Sequence, residues 1–372
     1  MKALFLSHQH ALAPGGGGQQ QCTREYQETL RVAGFDLVNV TFDTDQLWRT
    51  RLRRKFRPAP YANLVPKEFF ARVDKAIAEY HPTFVFCNLC NFVPLGPRLR
   101  RVLPADSRLV LLSHGLESVD ELHTARITRQ PFAAPHMPQI TDEWLGRIMC
   151  VERDGLSAFD HVFCLAAFEV EICRWFGVRS VSWLPRIMRL NQALDWKPTG
   201  DRVGILGTID HPPNLEGAEL FCASLQAAGV GSLRLRLVTR SQKFAADLRA
   251  RYPFVDDLGP LETPRAVEAE AATWSAFIHP IFCYARGCST KVATGLNWGL
   301  PVLTSAAGLR GYAWKQGELP ILNSAQELAG AALGSLKFAR ANALHEEVLK
   351  VVRSAPTLNE VAAQVRRDLG LA

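Results

Sequence analysis

Short apolar runs alternate with stretches of helical periodicity along almost the whole chain, and this alternation limits the folds open to it. The runs predicted to be strands are residues 2–7, 35–42, 83–89, 108–113, 160–165, 178–184, 201–207, 233–239, 276–280, 301–305 and 319–322. The stretches predicted to be helices are residues 19–33, 68–80, 96–101, 144–158, 166–176, 214–228, 242–252, 264–273 and 289–298, with further helices at the C-terminus. Strands that alternate with helices form a mostly parallel sheet covered on both faces. We therefore predict an α/β protein.

The alternation pauses once, at residues 186–200, and then starts again. A chain of 372 residues is long enough for two domains, each with its own core. We predict a first α/β domain at 1–185, a linker at 186–200 and a second α/β domain at 201–355. The last helix, about 356–372, could pack back on the first domain. Residues 123–143 are polar and interrupted by prolines, so we expect them to form a long loop. Residues 256–259 are expected to form another loop.

Composition excludes several classes of protein. Hydrophobic residues make up 48% and charged residues 21% of the chain, which excludes disordered and fibrous proteins. The apolar start at 3–6 is too short for a secretory signal, and no stretch approaches the ~18 apolar residues that a membrane-spanning helix needs. We expect a cytoplasmic protein. The nine cysteines are irregularly spaced. Cys87 and Cys90 form a C-x-x-C pair, but they lie in an apolar run without a second pair at zinc-site spacing, so these cysteines are predicted to be structural.

Residues 284–302 form the segment with the clearest chemistry, because a loop with small residues leads directly into a helix. The first amides of a helix have no internal partner and carry the positive end of its dipole, so they bind phosphate. Arg286 and Lys291 add positive charge on either side, and Ser289 and Thr290 could cap the helix or donate hydroxyls to a phosphate. The alternative is an ordinary capped helix whose basic residues face solvent.

This segment resembles the diphosphate-binding region of glycosyltransferase family 4 and its GT-B relatives. Lys291-Val292 and Gly299-Leu300-Pro301-Val302 match that region residue for residue, and residues 304–308 with Gly311 extend the match. Residues 204–214, just after the predicted linker, resemble the opening strand and loop of the family's nucleotide-binding domain.

The resemblance implies a GT-B fold, in which two Rossmann-like domains face each other across a cleft. It implies a glycosyltransferase that moves a sugar from a UDP-, GDP- or dTDP-sugar to an acceptor hydroxyl, with no cofactor beyond this co-substrate. The second domain would bind the donor and the first the acceptor. The donor-binding residues implied are Gly207, Thr208, Arg240, Cys288, Ser289, Thr290 and Thr294, and the catalytic residues are His114, Arg286 and Lys291.

The sequence departs from the family at Thr294, where the family commonly has a glutamate that holds the ribose hydroxyls. Threonine offers a single hydroxyl, so ribose recognition is expected to be rearranged or weaker. This departure leaves the nucleotide open. It also supports one alternative, a non-catalytic GT-B protein that binds nucleotide sugars; a sugar-nucleotide epimerase of the same architecture is another.

The predicted first domain contributes residues that follow its strands, where ligands of open α/β sheets bind. By resemblance, His114 would point at the transferred sugar, and Glu117 is a further candidate. The loop after the first strand contains His8, His10, Gly15, Gly16, Gly17 and Gly18. Its glycines could let the backbone approach a phosphate or the acceptor, or could form a surface loop.

Family 4 enzymes retain the anomeric configuration, so we expect retention. An inverting enzyme would instead use a histidine such as His8 or His10 as a general base. We expect no metal, because GT-B enzymes neutralise the leaving diphosphate with basic side chains and a helix N-terminus. The Asp-x-Asp tripeptide at 43–45 is interpreted as coincidence, and Asp256-Asp257 is explained equally well by turn chemistry.

The net charge is +7, and basic residues cluster at 49–57 and 98–101. Such runs are usually solvated helix faces, and this is the interpretation of the second cluster. The first could also contact an anionic membrane surface or an anionic acceptor. Nucleic acid is not expected, because no binding motif accompanies the charge. The acceptor itself cannot be read from the candidate acceptor loops, 44–66 and 123–143.

Overall fold

The computed structural model describes residues 1–14, 17–43, 61, 67–130 and 140–371. Within them the chain forms two parallel sheets, each flanked by helices. The basic cluster at 49–57, Gly15, Gly16 and nearly all of the candidate acceptor loop 44–66 lie outside the described residues.

The first sheet has six strands in the order β2-β1-β3-β4-β5-β6. The strands are β1 (Lys2–His8), β2 (Asp36–Phe42), β3 (Phe84–Asn88), β4 (Arg108–Leu112), β5 (His161–Cys164) and β6 (Val181–Trp183). The helices are α1 (Gln9–Leu12), α2 (Gly18–Val32), α3 (Lys67–Tyr80), α4 (Gly96–Val102), α5 (Glu117–Ile127), α6 (Asp142–Leu156) and α7 (Ala167–Trp175). A short 3-10 helix, Cys90–Leu95, follows β3.

Strand geometry explains why this sheet is buried on both faces. Successive side chains point to opposite faces of a strand. In β1, Leu4 and Leu6 join one buried cluster, whereas Ala3 and Phe5 join another on the opposite face. A strand that is apolar at every position therefore needs helices on both sides, as its uninterrupted apolar sequence predicts.

The second sheet has five strands in the order β11-β10-β7-β8-β9. The strands are β7 (Arg202–Leu206), β8 (Arg234–Val238), β9 (Val255–Asp257), β10 (Ala276–His279) and β11 (Val302–Thr304). The helices are α8 (Pro212–Ala228), α9 (Gln242–Arg251), α10 (Pro264–Ala271), α11 (Thr290–Asn297), α12 (Ala325–Ser335), α13 (Phe338–Arg353) and α14 (Leu358–Asp368). Gly204 lies in the middle of β7 because a Cβ there would come 2.1 Å from the ring of the fully buried Trp274.

The segment between the sheets packs on the second sheet's side, where Trp196 donates its Nε1–H to the Trp274 carbonyl at 2.7 Å. Helix α14 crosses back to the first sheet, and Val361, Ala362 and Val365 join the cluster that contains Phe5. The C-terminal helix thus ties the end of the chain to α2.

Three sequence predictions are wrong. Residues 123–143 are not one long loop, because α5 runs to Ile127 and α6 begins at Asp142. The apolar periodicity of α5 is weak because several of its buried side chains are polar, Asp120 and Thr124 among them. Residues 256–259 are not wholly a loop, since Asp256 belongs to β9 and pairs with Arg236 at 3.0 Å. Residues 319–322 form no strand; Ile321 makes only an isolated bridge to Thr304.

Candidate functional site

A cavity of about 490 Å³ lies between the two sheets, beyond the carboxyl ends of their strands. This is where open α/β sheets bind ligands. The first sheet's side contributes the start of α2, the turn after β3 and the β4–α5 turn. The second contributes the β7–α8 loop and the loop from β10 to α11. The charged and nucleophilic residues that line the cavity are Cys22, Cys90, His114, Glu117, Asp120, His211, Arg286, Cys288, Lys291 and Arg310.

Helix α11 begins at the wall of this cavity. Its N-cap, Ser289, has extended backbone angles, and its side chain makes no capping hydrogen bond within the described part of the helix. Ser289 and Thr290 both line the cavity. Tyr312 stabilises the first turn of α11. Its hydroxyl donates to the Ser289 carbonyl and accepts the Ala293 N–H at 2.9 Å. The positive end of the α11 dipole therefore faces the space between the sheets.

Lys291 extends from the first turn of α11 to the β7–α8 loop. Its Nζ donates to the Thr208 carbonyl at 2.6 Å. Burial lowers the pKa of Lys291 to about 8, against the opposing effect of Asp210. Gly207, with φ of +98°, lies against this side chain, and a Cβ there would come 2.9 Å from the Lys291 Cε. The glycine therefore leaves room for the lysine.

Arg286 reaches across the cavity to two carboxylates at the start of α5. Its Nη1 pairs with Glu117, and its Nε lies 2.9 Å from Asp120 Oδ2. Asp120 also accepts the Arg286 backbone N–H at 2.9 Å and contacts His211 Nε2 at 3.0 Å. Burial opposes ionisation of Asp120, but the hydrogen bond from His211 and the Arg286 charge lower its pKa to about 2. The Arg286 charge is therefore compensated.

Glu169 of α7 joins the two loops that meet across the cleft. Its buried Oε1 accepts the Leu116 N–H at 3.0 Å and the Gly287 N–H at 2.9 Å. Burial raises the pKa of Glu169 to about 7. The loops touch through backbone, since a Cβ at Gly115 would lie 2.3 Å from the Gly287 nitrogen. Both glycines have positive φ, and both are needed for this approach.

His114 follows β4 and faces the same cavity. Its Nε2 lies 2.8 Å from the Asn88 Oδ1, and the Asn88 amide group donates to Ser7 and Thr23, each at 3.0 Å. Because the amide oxygen faces Nε2, that nitrogen carries the proton of the neutral ring. Burial, with the charges of Arg186 and Arg286, lowers the pKa of His114 to about 3. The imidazole is thus neutral at physiological pH.

No protein-family model and no curated protein matches the sequence. Several solved structures match it over nearly the whole of both chains. Sucrose-phosphate synthase from Thermosynechococcus elongatus is 17% identical, with a TM-score of 0.68 and 99% of each chain covered. HepE from Anabaena, solved with UDP and glucose, is 14% identical, with a TM-score of 0.66 and 100% of each chain covered. The lipopolysaccharide outer core galactosyltransferase WaaB is 11% identical, with a TM-score of 0.58, and the match covers 100% of this chain and 99% of WaaB. The chain has the GT-B fold.

The predicted GT-B fold is thereby confirmed, and the predicted site residues can be located within it. Those that line the GT-B cleft are Gly18, His114, Glu117, Arg286, Cys288, Ser289, Thr290 and Lys291. Gly207 and Thr208 border it through their contacts with Lys291.

Other predicted site residues lie beside the GT-B cleft rather than in its lining. Thr294 donates to the Thr290 carbonyl at 3.2 Å and lines a neighbouring depression with Arg24 and Asn297. Arg240 is exposed just after β8. His8 caps α1 by accepting the His10 N–H at 3.1 Å, and Gly17 is the N-cap of α2.

Sequence reasoning missed Asp120, His211 and Arg310, which line the cleft. It also missed Asn88, which holds His114, and Glu169, which joins the two loops. Arg310 donates to the Gly287 and Ala307 carbonyls, each at 2.7 Å, and so braces the loop before α11. Asp120 and Glu169 are acidic residues buried within helices, a property of the fold that the sequence alone does not show. Such a position calls for a partner from elsewhere in the fold.

Among the described residues, no group of three or more His, Cys, Asp or Glu side chains is arranged to hold a metal ion. Within the same part of the chain, no helix has the length and apolar character needed to cross a bilayer.

Proposed function

We propose that this protein is a glycosyltransferase that moves a sugar from a nucleoside diphosphate sugar to an acceptor hydroxyl, with retention and without a metal ion. The observation that carries the proposal is the start of α11, whose first turn lines the cavity between the two sheets and includes Lys291. The fold supports it, since sucrose-phosphate synthase, HepE and WaaB share this architecture. HepE has been solved with UDP-glucose.

The donor diphosphate would bind to the amides of the first turn of α11 and to Lys291. The ammonium group of Lys291 contacts a neutral carbonyl, so its charge is available to a ligand anion. Arg310, which lines the cavity and braces the loop, adds a second positive charge nearby. These groups are fixed before the reaction and would stabilise the charge that develops as the diphosphate leaves.

Arg286 would act mainly by placing carboxylates. Its guanidinium holds Glu117 and Asp120 at the cavity wall, and Glu117 is only half buried. Carboxylate oxygens accept hydrogen bonds from sugar hydroxyls. We therefore propose that the transferred sugar lies on this side of the cavity, near the neutral His114, with the diphosphate on the side of Lys291.

Retention is supported by the position of the histidines that inversion would use. His8 and His10 interact with each other at the start of α1 and stand apart from the described cavity lining, whereas His114 is held by Asn88. Metal independence is supported by the cations and helix dipole already present at the diphosphate position.

The test is product analysis with UDP-, GDP- and dTDP-sugars, each incubated with the protein alone and with a panel of hydroxyl acceptors. A glycosylated acceptor with the donor's anomeric configuration is the expected result, unchanged by excess EDTA. A sugar converted in the absence of acceptor would identify an epimerase. Binding without any turnover across the panel would identify a non-catalytic nucleotide-sugar-binding protein.

A further inference from the structure

A buried arginine lies between two thiols that come from different halves of the molecule. Arg186 follows β6, and its side chain is only 4% exposed. Its Nη1 donates to Cys22 Sγ at 2.9 Å and to Cys288 Sγ at 3.3 Å. Its Nε donates to Glu25 Oε2 at 2.8 Å. A guanidinium with one carboxylate partner and two sulfur acceptors is arranged to stabilise a thiolate.

The two cysteines approach each other where the sheets' flanking helices meet. Cys22 lies on α2, and Cys288 lies just before α11. Both sulfurs contact the same nitrogen, Arg186 Nη1, so the two thiols are neighbours. The helix starts abut closely as well, because a Cβ at Gly18 would lie 2.7 Å from the Thr290 Oγ1. Both cysteines line the central cavity, so a small solute can reach them through it.

The thiols differ in acidity. The neighbouring Cys22 thiol and the charge of Arg186 lower the pKa of Cys288 to about 6, although burial acts in the opposite direction. The neighbouring Cys288 thiol and burial raise the pKa of Cys22 well above its usual range. The site therefore favours a thiolate at Cys288 beside a thiol at Cys22, which is the combination that oxidation chemistry uses.

We propose that Cys22 and Cys288 form an oxidisable dithiol, and that a hydroperoxide converts it into a disulfide that joins the two halves of the molecule. The sequence-based interpretation of the cysteines as structural therefore does not extend to this pair. The proposal is independent of the transferase reaction.

The oxidation proceeds in two steps. The Cys288 thiolate attacks one oxygen of hydrogen peroxide; an S–O bond forms, the O–O bond breaks, and hydroxide leaves and is protonated to water. The Cys22 sulfur then attacks the Cys288 sulfur; the S–S bond forms, the S–O bond breaks, and water leaves with the Cys22 proton. In sum, two thiols lose two electrons to one peroxide, giving one disulfide and two waters.

The disulfide would hold the starts of α2 and α11 together. Ligand exchange that requires these helices to separate would then stop until a reductant restores the thiols.

The chain provides its own comparison pair. Cys164 and Cys173 lie 3.9 Å apart, sulfur to sulfur, in the core beside the first sheet. The hydrogen bond to Cys173 and burial raise the pKa of Cys164 well above its usual range. If closeness of the two sulfurs were sufficient, both pairs would be oxidised at similar rates. If a thiolate that is reachable from the cavity is required, the Cys22–Cys288 pair should be oxidised first.

The experiment treats the reduced full-length protein with hydrogen peroxide at pH 7.5, blocks remaining thiols with N-ethylmaleimide at intervals and identifies linked peptides by mass spectrometry. We expect the Cys22–Cys288 link to form at least tenfold faster than a Cys164–Cys173 link, and dithiothreitol to reverse it. Cys22→Ser should accumulate a dimedone-reactive sulfenic acid at Cys288. Cys164→Ser, the matched control, should form the link at the wild-type rate.

Equal rates for the two pairs, or a stable sulfenic acid at Cys288 in the wild type without a link, would overturn the proposal. Iodoacetamide labelling of the wild type gives a measurement that needs no variant. Cys288 should react at least tenfold faster than Cys164, and equal labelling rates would also overturn it.

Discussion

Glu169 accepts the backbone N–H of Gly287 at 2.9 Å, which places a buried carboxyl group of α7 directly behind the loop that leads into α11. The same oxygen accepts the N–H of Leu116, next to the loop that carries His114. One side chain therefore joins the two loops whose backbones meet across the cleft. Two consequences of this arrangement, one of the Arg286–Asp120 contact and one of the proposed diphosphate site can be measured.

The first prediction concerns pH. The folded-state pKa of Glu169, about 7, lies above its ordinary value of 4.5. Its contribution to stability is thus fully present below pH 4.5 and is lost as the pH rises to about 7. Glu169→Gln removes this titration and keeps the acceptor oxygen. Urea unfolding at pH 4.5 and pH 8 should show that the wild type loses more stability than the variant, by a difference on the order of 3 kcal/mol. Parallel pH profiles would show that Glu169 titrates normally.

The second prediction concerns the contact between loops. A Cβ at Gly287, where φ is +57°, would lie 2.2 Å from the His114 carbonyl oxygen, whereas one at Gly177, where φ is +88°, would meet open space. Both substitutions to alanine strain the backbone by about 1–2 kcal/mol, but only Gly287→Ala also forces the loops apart. We expect Gly287→Ala to lower the midpoint of thermal unfolding further than Gly177→Ala and to weaken nucleotide binding. Equal effects would mean that the loops are not in contact.

The third prediction concerns Asp120, which links Arg286 with His211. Its folded-state pKa of about 2 lies below the ordinary 3.8, so its contribution to stability is present above pH 3.8 and is lost as the pH falls through about 2. Asp120→Asn should therefore destabilise the protein at pH 7. On acidification, the variant should lose less of its unfolding free energy than the wild type does. Asp154→Asn, which breaks the exposed pair with Arg153, is the control and should leave unfolding unchanged. Matching behaviour of the two variants would argue against the cross-cleft network.

The sequence was sufficient for most of the architecture because strand and helix signals are local. Apolar runs such as residues 2–7 and 108–113 predict buried parallel strands without knowledge of what packs on them. The helix start beside Lys291 was predictable for the same reason: the loop, the basic residue and the helix start are neighbours in sequence. The fold that this pattern implied is the one observed.

The rest of the site depends on contacts between distant residues. Nothing near Asp120 in sequence indicates that it lies beside Arg286, which is 166 positions away. These contacts also explain why helix α5 was not predicted. Its buried positions include polar residues that face the other half of the molecule, and these interrupt the apolar periodicity expected of a helix. Thr294 was assigned by its place in a motif, yet it lies in a depression beside α2 and not in the main cavity.

The most direct test of the account is isothermal titration of UDP, GDP and dTDP into the wild type, Lys291→Ala and Lys75→Ala. Lys75 is an exposed lysine on α3 that pairs only loosely with Glu79, at 3.6 Å, and serves as the matched control. For whichever nucleotide binds, we predict that Lys291→Ala weakens affinity at least tenfold, about 1.4 kcal/mol, while Lys75→Ala does not change it. Wild-type affinity should also fall above pH 8, where Lys291 loses its proton. Wild-type affinity in Lys291→Ala would contradict the central claim that an anion binds at the start of α11.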